Sequence, residues 1–441
     1  MASPGSWVES ANDPATDFPL CNLPFGVFAR ASSDARPAIG IAIGDRILDL
    51  RRAGDTGLLD ALPPAITEAC QGDSLNALMA LGPAAASGLR ARATALLARD
   101  ARPGEDTPGR VQTCLVPMSD ARMMLPAVVG DYTDFYASIH HATTVGRLLR
   151  PDRPLPSNYP HTPLAYHGRA SSLVASGHPV RRPWGQARGG PGEPPLYAPS
   201  RALDYEIEVG FLIGAGNPLG EPIPLARAEA AIFGVCLVND WSARDHQAWE
   251  SQPLGPFLSK NFTTTLSPWV VPLEALAPFR VPAFDRGSDG PAALGYLSSP
   301  ENQAHGGLDI TLEVAILSAA MRAAGRPPLR LGRSHFRDQY WTAAQLVAHH
   351  ASGGCNLRPG DLLASGTVSG ETADARGCLL ELTRRGTEAF TLPTGERRTY
   401  LEDGDEVIVR GYCEREGMPR IGFGECRGQI APACAPAAYA P

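Results

Sequence analysis

"DYEIEVGFLIG", residues 204–214, alternates apolar and acidic residues before turning wholly apolar. Side chains two apart on a strand share a face. Tyr205, Ile207, Val209 and Phe211 therefore fill one side, and Glu206 and Glu208 project together from the other. "AIFGVCLVND", 231–240, reads as a second strand, its apolar run ending on Asn239 and Asp240. "PWVVPLEAL", "LDITLEVAIL", "GCLLELT" and "DEVIVRGYC" are further strand candidates by alternation or β-branched content. "RRPWGQARGGPGEPPLYAPS", 181–200, reads as a long Pro/Gly-rich loop. There is no regular βαβ alternation and no repeat at fixed period. The expected fold is mainly β with some α, a mixed β-sandwich or roll rather than a doubly wound sheet.

Upstream the texture changes. "GVFARA" and "AIGIAI" read as strands, and "GD" at 44–45 turns the second into "RILDL". Residues 57–99 are Ala- and Leu-rich and read as helical, broken at "PP" (63–64) and "GP" (82–83). "ARPGEDTPGR", 101–110, suits a linker. At 441 residues two domains are expected. The boundary falls near residue 119, giving segments 1–119 and 120–441.

Composition excludes several classes. The net charge of −7 carries no basic cluster of the kind that binds nucleic acid. Nine cysteines, none in C-x-x-C spacing, signal neither a zinc site nor a disulfide framework. Cys236, inside "IFGVCLV", reads as a buried free thiol. No run approaches a membrane span and the first residues have no signal-peptide pattern, so a reducing cytosolic setting is expected. Lys and Arg total 39, yet "PLGPFLSKNFTTT", 253–265, holds the only lysine, Lys260. A compact ammonium and a planar guanidinium are interchangeable on a surface but not in a tight site.

The candidate chemical residues gather in three places. Glu206 and Glu208 either line an acidic outer face or, if enclosed, call for a cation to keep both ionised. After Asp240, "WSARDHQAWE" places Ser242 and Asp245 at capping-box spacing, so a helix is expected to begin there. That helix puts Arg244 and Gln247 on one side, and Lys260 and Thr263–Thr265 follow. "GDYTDFYASIHHATTVGRLLR" gathers Asp131, Asp134, Tyr136, His140, His141 and Arg150. A histidine beside carboxylates is either a tuned base or an ordinary hydrogen-bonded side chain. For His349 and His350 the structural reading is favoured. Acidic groups without Cys or His at metal spacing suit a hard cation, Mg²⁺ or Ca²⁺. No G-x-S-x-G, H-E-x-x-H or P-loop competes, and "GAGNPLG", 214–220, has the wrong spacing for a dinucleotide site.

At these residues the sequence resembles the fumarylacetoacetase family. The resemblance rests on "FPLCNLPFGVF", "AIGDRILDL", "GDYTDFY", "HHATTVG", "YHGRASS", "LDYEIEVG", "NDWSARD", "PLGPFLSK", "CNLRPGDLLASGT" and "RIGFGEC", in register from about residue 17 to about residue 430. It implies a small SH3-like barrel, then a larger β-sandwich roll holding the active site, assembled as a homodimer. The implied reaction is hydrolysis of 4-fumarylacetoacetate to fumarate and acetoacetate. Asp134, Glu206, Glu208 and Asp240 fall where the family binds its divalent cation, with Lys260 and Thr264 completing the surroundings. His141 matches the general base and Glu381 the carboxylate that orients it. Arg244, Gln247 and Lys260 match the charge-stabilising group; Tyr136, Arg150, Gln247 and Thr367 match substrate contacts. Ser251 departs from the family's usual tyrosine and Thr263 from its usual glycine, which bears on substrate fit more than on reaction type. The alternatives are an acylpyruvate or other 2,4-diketo-acid hydrolase with the same cation and base, and a non-catalytic protein with a structural ion.

Overall fold

A computed structural model describes residues 5–31, 36–100, 107–288 and 290–435. Strand Ile207–Ile213 runs antiparallel to Ile232–Asp240, Ile207 opposite Asn239. Its other edge pairs with Leu362–Ala364, which runs parallel to Tyr132–Phe135. Ile232–Asp240 also pairs with Thr264–Leu266 and Trp269–Pro272. From Trp269–Pro272 the ladder passes straight to Phe25–Arg30, through Phe25–Val270 and Gly26–Trp269. Ala38–Ile43, Arg46–Asp49 and Leu115–Pro117 extend it in turn, and one 13-stranded sheet results. Its pairings run as an open path with side branches, and among the described residues they do not close the N-terminal strands into the expected barrel.

A second, five-stranded sheet contains Leu329–His335, Thr311–Leu317, Glu406–Cys413, Ile421–Ala431 and Val180–Arg181. The main core lies between the sheets, where Phe211 and Leu237 meet Leu312, Val314, Val409 and Phe423. At Gly411 a Cβ would come within 2.6 Å of Leu237 Cδ2, so the layers approach too closely for any larger residue there. The opposite face of the first sheet is covered as well. Leu212, Cys236 and Val238 share a cluster with Met79 and Leu89 of the N-terminal helices. Every residue of Ile207–Ile213 and of Ile232–Asp240 is buried. Each large apolar side chain so buried contributes about 2 kcal/mol, and the same enclosure removes Glu208 from water. The acidic outer face is thus the reading that fails.

The N-terminal strands and the Gly44 turn (φ +54°) follow the sequence pattern. So do helices Pro64–Ala69 and Pro83–Leu97, each with proline at its first position, where the missing N–H costs nothing. Of the expected linker, residues 101–106 lie outside the described residues, and Thr107–Cys114 is helical. Other segments differ. "PWVVPLEAL" is a strand only to Pro272, then a short helix, Leu273–Leu276. The Pro/Gly-rich 181–200 stretch folds into a hairpin, Trp184–Ala187 against Leu196–Pro199, with Trp184 stacked on Tyr197 at 5.5 Å. "GCLLELT" is a short helix, Leu379–Leu382. Its first two N–H groups are held by a distant carboxylate, Asp204, a tertiary contact that no local pattern discloses. Among the described residues no helix is long and apolar enough to cross a membrane.

Gly366 follows Leu362–Ala364 and has φ +77°, with space for a Cβ only 2.1 Å from the Phe135 carbonyl oxygen. Its N–H donates to Glu208 Oε2 at 3.1 Å. Gly366→Ala should cost on the order of 3 kcal/mol from the left-handed backbone and the overlap together. Denaturant unfolding reads this directly; an unchanged midpoint would show that the turn relaxes.

Candidate active site

Three strands of the first sheet bring four carboxylates to one point. Asp240 ends Ile232–Asp240, Asp134 lies in Tyr132–Phe135, and Glu206 and Glu208 flank the start of Ile207–Ile213. One oxygen from each lies within 4.8 Å of the others, and all four residues are buried. Lys260, 6% exposed, donates to Glu206 Oε2 at 2.5 Å and Asp240 Oδ2 at 2.6 Å. Thr264 faces Asp240 across the ladder and donates to its Oδ1 at 2.7 Å. Tyr166 donates to Asp240 Oδ2 at 2.6 Å and Tyr132 to Asp134 Oδ2 at 3.2 Å. Arg244 Nη1 lies 2.6 Å from Glu206 Oε1 and donates to Gln247 Oε1 at 3.0 Å.

The charges do not balance. Burial would raise the pKa of Glu206, but Lys260 and Arg244 beside it outweigh burial and hold it below the usual carboxylate range. Burial would likewise favour neutral Lys260, and Asp240 and Glu206 keep it charged. For Asp134 and Glu208 the pull of Lys260 is outweighed. Burial first, then the neighbouring carboxylates, Asp240 for Asp134 and Asp134 for Glu208, push both well above the usual range. Asp134 Oδ1 and Glu208 Oε1 are also buried without a hydrogen-bond donor. All-oxygen ligands, uncompensated negative charge and two orphaned oxygens are what a hard divalent cation requires. The four carboxylates suit such an ion.

A second buried group stands beside it. Ser138 caps helix Ile139–Leu149, its hydroxyl accepting the His141 N–H, which fixes His141 in the first turn. His141 Nδ1 lies 2.8 Å from Glu381 Oε2. Ser369 Oγ and Cys378 Sγ donate to the same oxygen at 2.7 and 3.3 Å. Burial would raise Glu381, but His141, Ser369 and Cys378 together keep it below its ordinary value. The edge of the Tyr136 ring meets His141 with centroids 5.3 Å apart. Burial, then Glu381 and Glu206, raise the Tyr136 phenol, so the fields of both groups reach one side chain. A histidine oriented by a carboxylate, next to a polyanionic cation site, is equipped to activate water.

Residues 131–431 match the family model "Fumarylacetoacetate (FAA) hydrolase C-terminal", and residues 21–126 match "Fumarylacetoacetase N-terminal". The chain belongs to the fumarylacetoacetase family. Fumarylacetoacetase of Rattus norvegicus is 46% identical over 436 residues, covering 98% of this chain and all of the relative. That of Bos taurus is 47% identical over 433 residues, covering 97% and 99%. A solved structure, a fumarylacetoacetate hydrolase from psychrophilic Exiguobacterium antarcticum, aligns with a TM-score of 0.51 at 16% identity over 93% of this chain and 99% of its own. At that identity it speaks for the fold alone.

The site residues expected from the sequence fall at different distances from this centre. Asp134, Glu206, Glu208, Asp240, Lys260 and Thr264 converge, as do His141 and Glu381, and Arg244 with Gln247. Thr367 is buried, and Arg150 is exposed at the end of helix Ile139–Leu149, its charge reaching Tyr136. Asp131 lies outside, paired with Arg358 on the surface. His349 and His350 bond Tyr296 and Thr133, in keeping with the structural reading. Ser251 turns its hydroxyl to the Gln247 carbonyl, and Thr263 bonds the Phe262 carbonyl. The expected capping box is absent: Asp245 is taken by Ser200 Oγ and Arg201 N–H, and helix Arg244–Glu250 starts without a side-chain cap. Tyr132, Tyr166, Ser369 and Cys378 escaped the sequence reading, since single hydroxyl or thiol donors carry no spacing signature.

Loading Mg²⁺ or Ca²⁺ onto protein stripped with EDTA should release protons. Carboxyls held above their usual range bind a proton that the cation must displace, so affinity should rise with pH. Calorimetry in buffers of different ionisation enthalpy counts the protons; a count of zero would show that Asp134 and Glu208 are already ionised.

Proposed function

We propose that this protein hydrolyses 4-fumarylacetoacetate to fumarate and acetoacetate, the last step of tyrosine and phenylalanine breakdown. The buried His141–Glu381 pair beside the four-carboxylate cage carries this reading. Asp134, Glu206, Glu208 and Asp240 would hold the divalent cation, Mg²⁺ or Ca²⁺, with Lys260 and Thr264 completing its surroundings. When bound, the cation supplies Lewis-acid polarisation to a chelating 1,3-diketone.

The chain's own groups do the rest. With Nδ1 donating to Glu381, His141 keeps Nε2 as its accepting nitrogen and takes a proton from water there. Glu381 fixes that tautomer and stabilises the imidazolium that forms. Cleavage sends negative charge onto the departing acetoacetate fragment, which needs preorganised donors. Lys260 has three ammonium protons and commits two to Glu206 and Asp240, leaving one for this role. Arg244 Nη2 is buried without a partner. Gln247 accepts from Arg244 through Oε1, which leaves its NH₂ to donate. Tyr136, Arg150 and Thr367 complete the substrate contacts, Tyr136 from directly beside His141.

The full-length relatives do not favour the shorter acylpyruvate-type substrate. The family resemblance also supports a cytosolic homodimer. The change of family match between residues 126 and 131 supports a division into two domains, which we place at 1–119 and 120–441.

Purified protein should consume fumarylacetoacetate, followed by loss of its diketone absorbance, with metal present. Turnover should stop with EDTA and return when metal is restored. Lack of turnover by folded, metal-loaded protein would overturn the assignment. Lys260→Arg should lower kcat by about 10²-fold or more, because a guanidinium cannot deliver the same two short bonds and a third donor in this space. Wild-type turnover in that variant would remove Lys260 from the mechanism.

A further inference from the structure

Asp204 belongs to neither the cage nor the base pair, yet it touches the supports of both. It is fully buried in the short strand Leu203–Asp204. Oδ1 accepts the N–H of Leu379 at 2.7 Å and of Tyr205 at 2.8 Å. Oδ2 accepts the N–H of Leu380 at 2.9 Å and Arg244 Nε at 2.8 Å. Each oxygen is therefore saturated by two donors.

The donors come from separate parts of the chain. Leu379 and Leu380 open the one-turn helix Leu379–Leu382, which carries Glu381 and whose preceding residue, Cys378, gives it no side-chain cap. Four residues of helix cannot hold their own geometry in water, so this turn takes its place from Asp204. On the other oxygen sits Arg244, whose Nη1 reaches both Glu206 and Gln247. We infer that Asp204 is a positioning residue that sets the Glu381 turn, and through it His141, against the Arg244 group. This rests on reading His141–Glu381 as the base. Asn cannot replace Asp204, because its NH₂ in either place would face two N–H donors.

Steady-state kinetics on fumarylacetoacetate, with saturating Mg²⁺, test the inference in Asp204→Asn, Glu381→Gln, Arg244→Lys and the paired variants. Misplacing a base by about 1 Å costs on the order of 10²-fold, so Asp204→Asn should lower kcat by about that factor. KM should stay within about threefold, since Asp204 itself bonds none of Tyr136, Arg150, Gln247 and Thr367. In the Glu381→Gln and Arg244→Lys backgrounds the further loss should shrink to about tenfold or less, because groups acting as a unit are not additive. Wild-type kcat in Asp204→Asn, or its full loss carried into both backgrounds, overturns the inference. If the Asn variant does not fold, Asp204→Glu, which keeps the charge but sets it one methylene further out, should show the same pattern. Wild-type kcat in the folded Glu variant is equally decisive against it. Wild-type activity in Glu381→Gln would instead overturn the base reading, and leave Asp204 with nothing to position.

Discussion

Like charges resist being gathered away from water, and this protein gathers four. Two carboxylates 4 Å apart repel by about 4 kcal/mol at the effective dielectric of a protein site. The enclosed sheet supplies the opposing force. Asp134, Asp240 and Glu208 stand on strands, and Glu206 immediately before one, whose ladders and cores would have to break before the carboxylates could separate. Lys260 offsets part of the repulsion and Arg244 another part. What remains is the attraction for a cation. The tight apolar packing above and below is therefore tied to function: it keeps the site poor in water, and so keeps it hungry for charge.

The sequence disclosed whatever repeats locally. Alternation around Glu206 and Glu208 identified the strand and the face those carboxylates share. It did not show that the face is enclosed, because the cover comes from helices near residues 76–97. The lone lysine marked the cage before any geometry was in view, since a residue type used once is conspicuous in an arginine-rich chain. Pairing His141 with Glu381, 240 positions apart, came only from family resemblance; no spacing rule reaches that far.

The misreadings have one cause. "GCLLELT" has a strand's apolar content but folds as a helical turn because Asp204 satisfies its first N–H groups. Ser242 and Asp245 have the spacing of a cap, but Asp245 is bound by Ser200 and Arg201 from another loop. The 181–200 segment, rich in loop formers, is a hairpin pinned by Trp184 on Tyr197 and by the Trp249 indole on Gln186. In each case a distant side chain outweighs a local preference of a few tenths of a kcal/mol per residue.

Strand Trp269–Pro272 has a neighbour on each side, Ile232–Asp240 on one and Phe25–Arg30 on the other. Phe25–Arg30 thus covers the border of the strands that carry the carboxylates and continues the sheet beyond it. Stripped of it, Trp269–Pro272 would show a row of unclaimed amides and carbonyls, the kind of border along which separate molecules adhere. Phe25–Arg30 accordingly shields a border of the sheet without adding a carboxylate to the cage that sheet carries.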